Sequence, residues 1–204
     1  MAEKDPRAQI VAAAKKRFAH FGYGKTCMAE IAGDCGMSPG NLYRFFPGKL
    51  DIAEAIATAD YENHLEHLRR QTIRPGRRAG EKLHDFLFEG LRRTYSKREK
   101  DPRGFELARV IAAERPAFAN WMLECERKIM VGVMEEAERD GEFDIADKNF
   151  TAEVIQSATL KFRDPQFWSR LSLSRLEREL DGVWKLLVEG LVPKPARTRK
   201  QELA

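Results

Sequence analysis

Residues 26–49 read TCMAEIAGDCGMSPGNLYRFFPGK, and this stretch decides the fold. Thr26 is placed to cap a short helix whose apolar face is Met28, Ile31, Ala32 and Cys35. Gly36 stops that helix, because a sharp turn needs the left-handed backbone that glycine adopts without steric cost. Ser38-Pro39 then starts a second helix, with a hydroxyl to accept orphan amide hydrogens and a proline suited to the first turn. Leu42, Phe45 and Phe46 anchor its inner face, and Pro47-Gly48 ends it. The outer face is left with Pro39-Gly40-Asn41, Tyr43 and Arg44. Small residues there allow close approach to a duplex. An Asn pairs with adenine edges, and Tyr and Arg reach phosphates or bases. Lys49 opens the next helix, where unpaired backbone amides favour a phosphate.

Helical punctuation continues on both sides. Upstream, Asp5-Pro6 starts a helix with Val11, Ala14, Phe18 and Phe21 on one face, and Gly22 ends it. With Ile31, Leu42 and Phe46, the residues Phe18 and Phe21 form an expected hydrophobic spine. Downstream, a long helix over about 49–71 has Ile52, Ala53, Ile56, Ala57, Tyr61, Leu65 and Leu68 inward, and Pro75-Gly76 breaks it. Helical spacing recurs from Leu83 to Tyr95, from Asp101-Pro102 to Ile111, from Pro116 to Asp140-Gly141, and over about 149–163. Ser174 and Glu177 have the spacing of a capping box before a last helix over about 174–192, which Pro193 closes. No segment alternates with period two, so the chain is expected to be all-α.

Composition narrows the function. The chain has 204 residues, 43% hydrophobic and 33% charged, which suits a globular protein with a full core. No apolar run spans a bilayer, and the first residues carry no apolar signal region, so no membrane partner and a cytoplasmic location are expected. Three cysteines, Cys27, Cys35 and Cys125, do not make a disulfide framework. The net charge of +4 is uneven: residues 1–50 carry +4, 51–192 carry −3 and 193–204 carry +3. A basic end suits an anionic polymer. No nucleophile–base set, Gly-rich phosphate loop or strong metal motif stands out, so neither an enzyme nor a cofactor is expected.

The stretch 26–49 resembles the DNA-binding region of the tetracycline-repressor (TetR) family, with the cap, Ile-Ala, Gly-x-Ser, Leu-Tyr, Phe-Pro and Lys in register. The resemblance covers about residues 8–55. It implies an N-terminal three-helix helix-turn-helix DNA-binding domain (1–48), a C-terminal helical ligand-binding and dimerisation domain (49–192) and a basic tail (193–204). Carried over residue by residue, Thr26 matches a phosphate-contacting helix cap, Gly40 and Asn41 lie near base edges, and Tyr43 and Lys49 contact phosphate. Ser38, Pro39 and Arg44 complete the expected double-stranded DNA surface. Phe45 stands where the family often has His or Tyr, and Pro39 where Lys is common, which removes one phosphate hydrogen bond and one positive charge. The last two helices match the family's dimerising pair, with Trp168, Trp184, Leu187 and Leu191 as interface anchors.

The implied function is a homodimeric transcriptional regulator, a repressor released from a palindromic operator by a small apolar effector. Tyr95, Trp121, Cys125 and Thr159 are the expected ligand-binding residues, since each sets a polar or soft atom on a mostly apolar face. Two alternatives stand beside this reading. One is a helix-turn-helix regulator without an effector. The other is a metal sensor built on His64 and His67, three residues apart. A solvated helix face explains the His pair more simply, and inert packing explains the cysteines.

Overall fold

The computed structural model describes residues 5–168 and 170–191. Ten α-helices follow in chain order: α1 (Pro6–Phe21), α2 (Met28–Asp34), α3 (Pro39–Phe45), α4 (Lys49–Thr72), α5 (Ala79–Lys100), α6 (Pro102–Glu114), α7 (Pro116–Arg139), α8 (Lys148–Ala158), α9 (Leu160–Arg163) and α10 (Leu173–Leu191). A single 3₁₀ turn (Pro165–Phe167) lies between the last two, and no strand occurs among the described residues. The expected tail 193–204 lies outside them.

Local chemistry accounts for most boundaries. Asp5, Asp101, Asp147 and Asp164 each accept a backbone N–H in the following turn, and proline follows three of them directly. The final helix is capped differently from expectation. Ser172, not Ser174, accepts the amide of Arg175 at 3.3 Å, because the helix begins one residue before Ser174. The stretch expected as one helix over 149–163 is broken at Thr159, whose hydroxyl donates to Ile155 O at 2.7 Å.

Three apolar clusters hold the chain together. The first joins Ile10, Ala14 and Phe18 of α1 to Ile31, Leu42 and Phe46, and extends into Ile52, Ala53 and Ile56 of α4 and Leu107 and Ile111 of α6. The division expected at 48/49 therefore runs through a single core. Phe21 is 49% exposed and does not join the spine; Ile10, fully buried, takes that place. Position 21 lies on the stripe of Ile10, Ala14 and Phe18 but is the last residue of α1, and the Phe21 ring, left in water, carries the Arg17 guanidinium at 5.1 Å. The second cluster packs Leu83 and Phe86 against Met130, Val133, Met134, Ile155 and Trp184. The third gathers Phe88, Leu91, Phe162, Trp168, Leu176 and Leu180. Trp168 and Trp184 are thus buried within the subunit at 0% and 8% exposure, which corrects their expected place as interface anchors. Leu187 also packs inward, and the side chain of Leu191 lies outside the described residues.

The turn between α2 and α3 rests on Gly36, whose φ is +66°. Gly36 N–H donates to Gly33 O and Met37 N–H to Ala32 O, each at 3.0 Å, closing the end of α2 with two backbone bonds. A Cβ there meets nothing within 4 Å, so its cost is purely conformational. Gly36→Ala is expected to lower stability by about 1–2 kcal/mol, and Gly36→Asn by less, in chemical denaturation.

Candidate functional site

Helix α3 has a buried back and an open front. Leu42 is fully buried and Phe46 is 1% exposed, while Phe45 is half-buried against the same core. Burying each such side chain contributes about 1.5–3 kcal/mol, enough to fix this short helix in orientation. Arg7 adds a clamp: its guanidinium donates to Phe45 O and lies 4.1 Å over the Phe46 ring. Ser38, Pro39, Gly40, Tyr43 and Arg44 are exposed on the front, with Asn41 half-buried beside them. Gly40, Tyr43 and Arg44 share one helical face. A Cβ on Gly40 meets nothing within 4 Å, so nothing in the subunit requires glycine there. Ser38 Oγ accepts Asn41 N–H at 3.2 Å and acts as the expected cap.

Thr26 and Lys49 are placed differently from their neighbours. The cap of α2 is Cys27, whose N–H donates to Glu30 Oε2 at 2.8 Å. Thr26, one residue earlier, is 2% exposed, and its hydroxyl donates to Gly22 O at 3.0 Å. This corrects its expected role as a cap: the side chain closes the loop after α1. Lys49 Nζ donates to Tyr23 O at 2.8 Å and Thr26 O at 2.7 Å, and sits 4.3 Å over the Tyr23 ring. Its ammonium pins the α1–α2 loop to the start of α4.

Charged contacts tie this unit to the rest. Arg103 of α6 donates to Ala19 O at 2.8 Å and to His20 O at the end of α1. Arg115, between α6 and α7, donates to Asp51 at 2.9 Å and Glu54 at 3.0 Å on α4. Asp60 of α4 pairs with Lys15 of α1 and lies 4.0 Å from Lys97 of α5.

Deeper in the second unit, α4, α5, α7 and α9 converge on a polar centre. The Tyr61 hydroxyl lies 2.6 Å from Glu126 Oε1 and 3.0 Å from Met122 O. Arg163 closes the pair from the other side of Glu126. Burial and the Glu126 charge push the Tyr61 hydroxyl well above its ordinary pKa, so it stays a proton donor. The four expected ligand residues do not share one wall. Trp121 and Cys125 border this centre, and Trp121 lies 5.7 Å from the Tyr61 ring. Tyr95 instead stacks on Trp168 at 5.6 Å, and the Thr159 hydroxyl is committed to its own helix. Tyr61, Glu126 and Arg163 were not singled out as site residues by the sequence. A carboxylate at 126, on the stripe Met122, Met130 and Val133, is the signal that marks the centre.

His64 borders the same centre. Burial lowers its pKa to about 4, helped by Arg93, Lys97, His67 and Arg163. His67 turns instead toward Glu89 at 3.6 Å, so the two histidines do not converge on a shared ligand position. Burial also pushes the Cys35 and Cys125 thiols up, away from the reactive thiolate. Because folded His64 resists protonation and unfolded His64 does not, the unfolded chain binds more protons between about pH 6.5 and 4. Stability should therefore fall as the pH drops through that window. His64→Gln should flatten the slope of Tm against pH there.

Comparison with known proteins agrees with this architecture. The model of the family "Bacterial regulatory proteins, tetR family" matches residues 10–56, and that of the "Tetracyclin repressor-like, C-terminal domain" matches 79–184. The HTH-type transcriptional regulator TtgR of Pseudomonas putida is 34% identical over 67 residues, 33% of this chain. The chain spans about a third (31%) of the length of that curated relative. A TetR/AcrR-family transcriptional regulator from Thermobifida fusca superposes with a TM-score of 0.62 at 25% identity, covering 92% of this chain and 98% of that one. A transcriptional regulator from Cytophaga hutchinsonii shares the fold with a TM-score of 0.63 at 22% identity, over 93% and 100% of the two chains. With the C-terminal model alone matching more than half of its residues, the chain belongs to the tetR family of bacterial transcriptional regulators.

Proposed function

We propose that this protein is a homodimeric repressor that reads a near-palindromic operator with α3 and releases it when a small molecule binds the second unit. The observation that carries the reading is the front of α3. An exposed Gly40, Tyr43 and Arg44 stand on a helix whose back is locked in the core. Tyr43, 52% exposed, and Arg44 reach phosphates or base edges, Asn41 reads a base, and Gly40 with Pro39 and Ser38 lets the backbone approach the groove. Lys49 and Thr26 act one step removed, by holding the loop that sets the angle of α2 and α3.

The dimer reading rests on a second surface. Phe150 (62% exposed) and Val154 (41%) on α8, Leu160 (50%) on α9, Phe167 (54%) in the 3₁₀ turn and Leu186 (74%) on α10 leave large apolar side chains in water. Such a patch on the last helices suits a two-fold interface, where each anchor meets the same surface of its copy. Two recognition helices then face successive major grooves at a spacing set by the dimer. An effector in the second unit favours a different spacing, and by linkage the operator weakens effector binding by the same factor.

Two experiments test this. Gly40→Ala is expected to raise fold stability by up to about 1 kcal/mol, from helix propensity, while lowering operator affinity. In the same binding assay across a salt series, Arg44→Ala should weaken all sequences and reduce the salt slope by about 1. DNA fragments selected from the genome supply the operator. Unchanged affinity in both variants sinks the α3 reading. Separately, Leu186→Glu with Phe150→Glu should yield monomers in sedimentation and lose operator binding. A variant that remains dimeric places the interface elsewhere.

A further inference from the structure

Resting on the reading of α3 as the DNA-facing helix, we propose that Arg7 of α1 is a further DNA-binding residue, whose guanidinium holds a backbone phosphate at the C-terminal end of α3. Arg7 is 38 positions from Phe45 in the chain and lies outside the stretch 10–56 that the family model matches. Only packing brings it to the end of α3.

Two contacts fix the guanidinium there. One N–H donates to Phe45 O at 2.5 Å, and the group lies 4.1 Å over the Phe46 ring. The backbone behind it is held as well, since Arg7 N–H donates to Asp5 Oδ1 at 2.9 Å at the start of α1. Arg7 is nevertheless exposed. A guanidinium carries five N–H donors, and among the described residues Phe45 O is the acceptor that it holds. The other donors are left for water or a ligand.

The end of α3 has few other means of meeting an anion. Phe45 and Phe46 carry no polar side-chain atom, Pro47 has no N–H, and the Lys49 ammonium is committed to Tyr23 O and Thr26 O. Carbonyls left unpaired at a helix C-terminus carry partial negative charge and repel a phosphate. By binding Phe45 O, Arg7 reverses that sign. Helix α3 has seven residues and is about 10 Å long, against a major groove about 12 Å wide. A recognition helix turns its N-terminal residues to the base edges, so its other end comes close to the phosphates that wall the groove. A guanidinium already held by a carbonyl and a ring loses little freedom when it takes a phosphate.

The test measures affinity of the full chain for an operator duplex and for a random duplex of equal length, across a salt series. Arg7→Gln keeps an N–H donor for Phe45 O and removes the charge. It is expected to weaken both duplexes, by about 8-fold per bound protomer at about 0.1 M salt, and to reduce the salt slope by about 1 per bound protomer. Arg7→Lys should keep the slope. A residue that only props α3 changes affinity and melting temperature but leaves the slope as in wild type, and that result overturns the proposal. Arg44→Ala, measured alongside, separates the two readings. If it alters the slope and Arg7→Gln does not, the α3 reading stands without Arg7; if neither does, both fall. A second measurement replaces the operator phosphates one at a time with neutral methylphosphonates. One position should weaken wild type and leave the affinity of Arg7→Gln unchanged. If every position costs the two proteins equally, Arg7 touches no phosphate.

Discussion

One uninterrupted helix, α4, belongs to two cores at once, and the rest of the structure depends on that. Its first turns put Ile52, Ala53 and Ile56 among the side chains of α1, α2 and α3, while Leu68 packs with α5 and α7 near its other end. A helix of 24 residues is about 36 Å long and stiff along its axis. Any shift at one end is therefore delivered to the other, and the recognition surface cannot reorient without moving buried apolar contacts. Interiors resist such movement in small continuous steps, because they are close-packed. A change between two discrete arrangements is the natural response.

The polar contacts follow the same logic. Arg115 ties the α6–α7 junction to Asp51 and Glu54 on α4, and Arg103 reaches the last carbonyls of α1. Each of these side chains is partly or fully exposed, so their strength in isolation is modest. Their geometric effect is larger. They set α6 against both α1 and α4, the two elements through which the front of α3 is oriented. Tyr61 and Glu126 make the matching link between α4 and α7, about two to three turns further along α4. In these terms the second unit is a frame for α4, tied to it at the contact of Tyr61 with Glu126.

The polar centre also shapes His64: burial, with Arg93, Lys97, His67 and Arg163 adding to it, keeps the imidazole neutral well below its ordinary pKa.

Much of the fold was legible in the sequence because its signals are local. Proline, glycine and short polar caps act within one turn, so the starts of α1, α3, α6 and α7 fall where Pro6, Pro39, Pro102 and Pro116 place them. The turn at Gly36 and the inward face of α4 were legible for the same reason. The front of α3 followed, since its inner residues leave Gly40, Tyr43 and Arg44 outside. Tertiary structure decided what local rules leave degenerate. Ile10, not Phe21, completes the first core, because packing selects among several apolar candidates on one amphipathic helix. Thr26 and Lys49 turn inward because backbone carbonyls of a neighbouring loop need donors. Trp168 and Trp184 are core and Leu186 is surface, a choice set by how α10 lies on α5. Tyr61, Glu126 and Arg163 are far apart in the chain, and only the packing of α4, α7 and α9 brings a hydroxyl, a carboxylate and a guanidinium into one network.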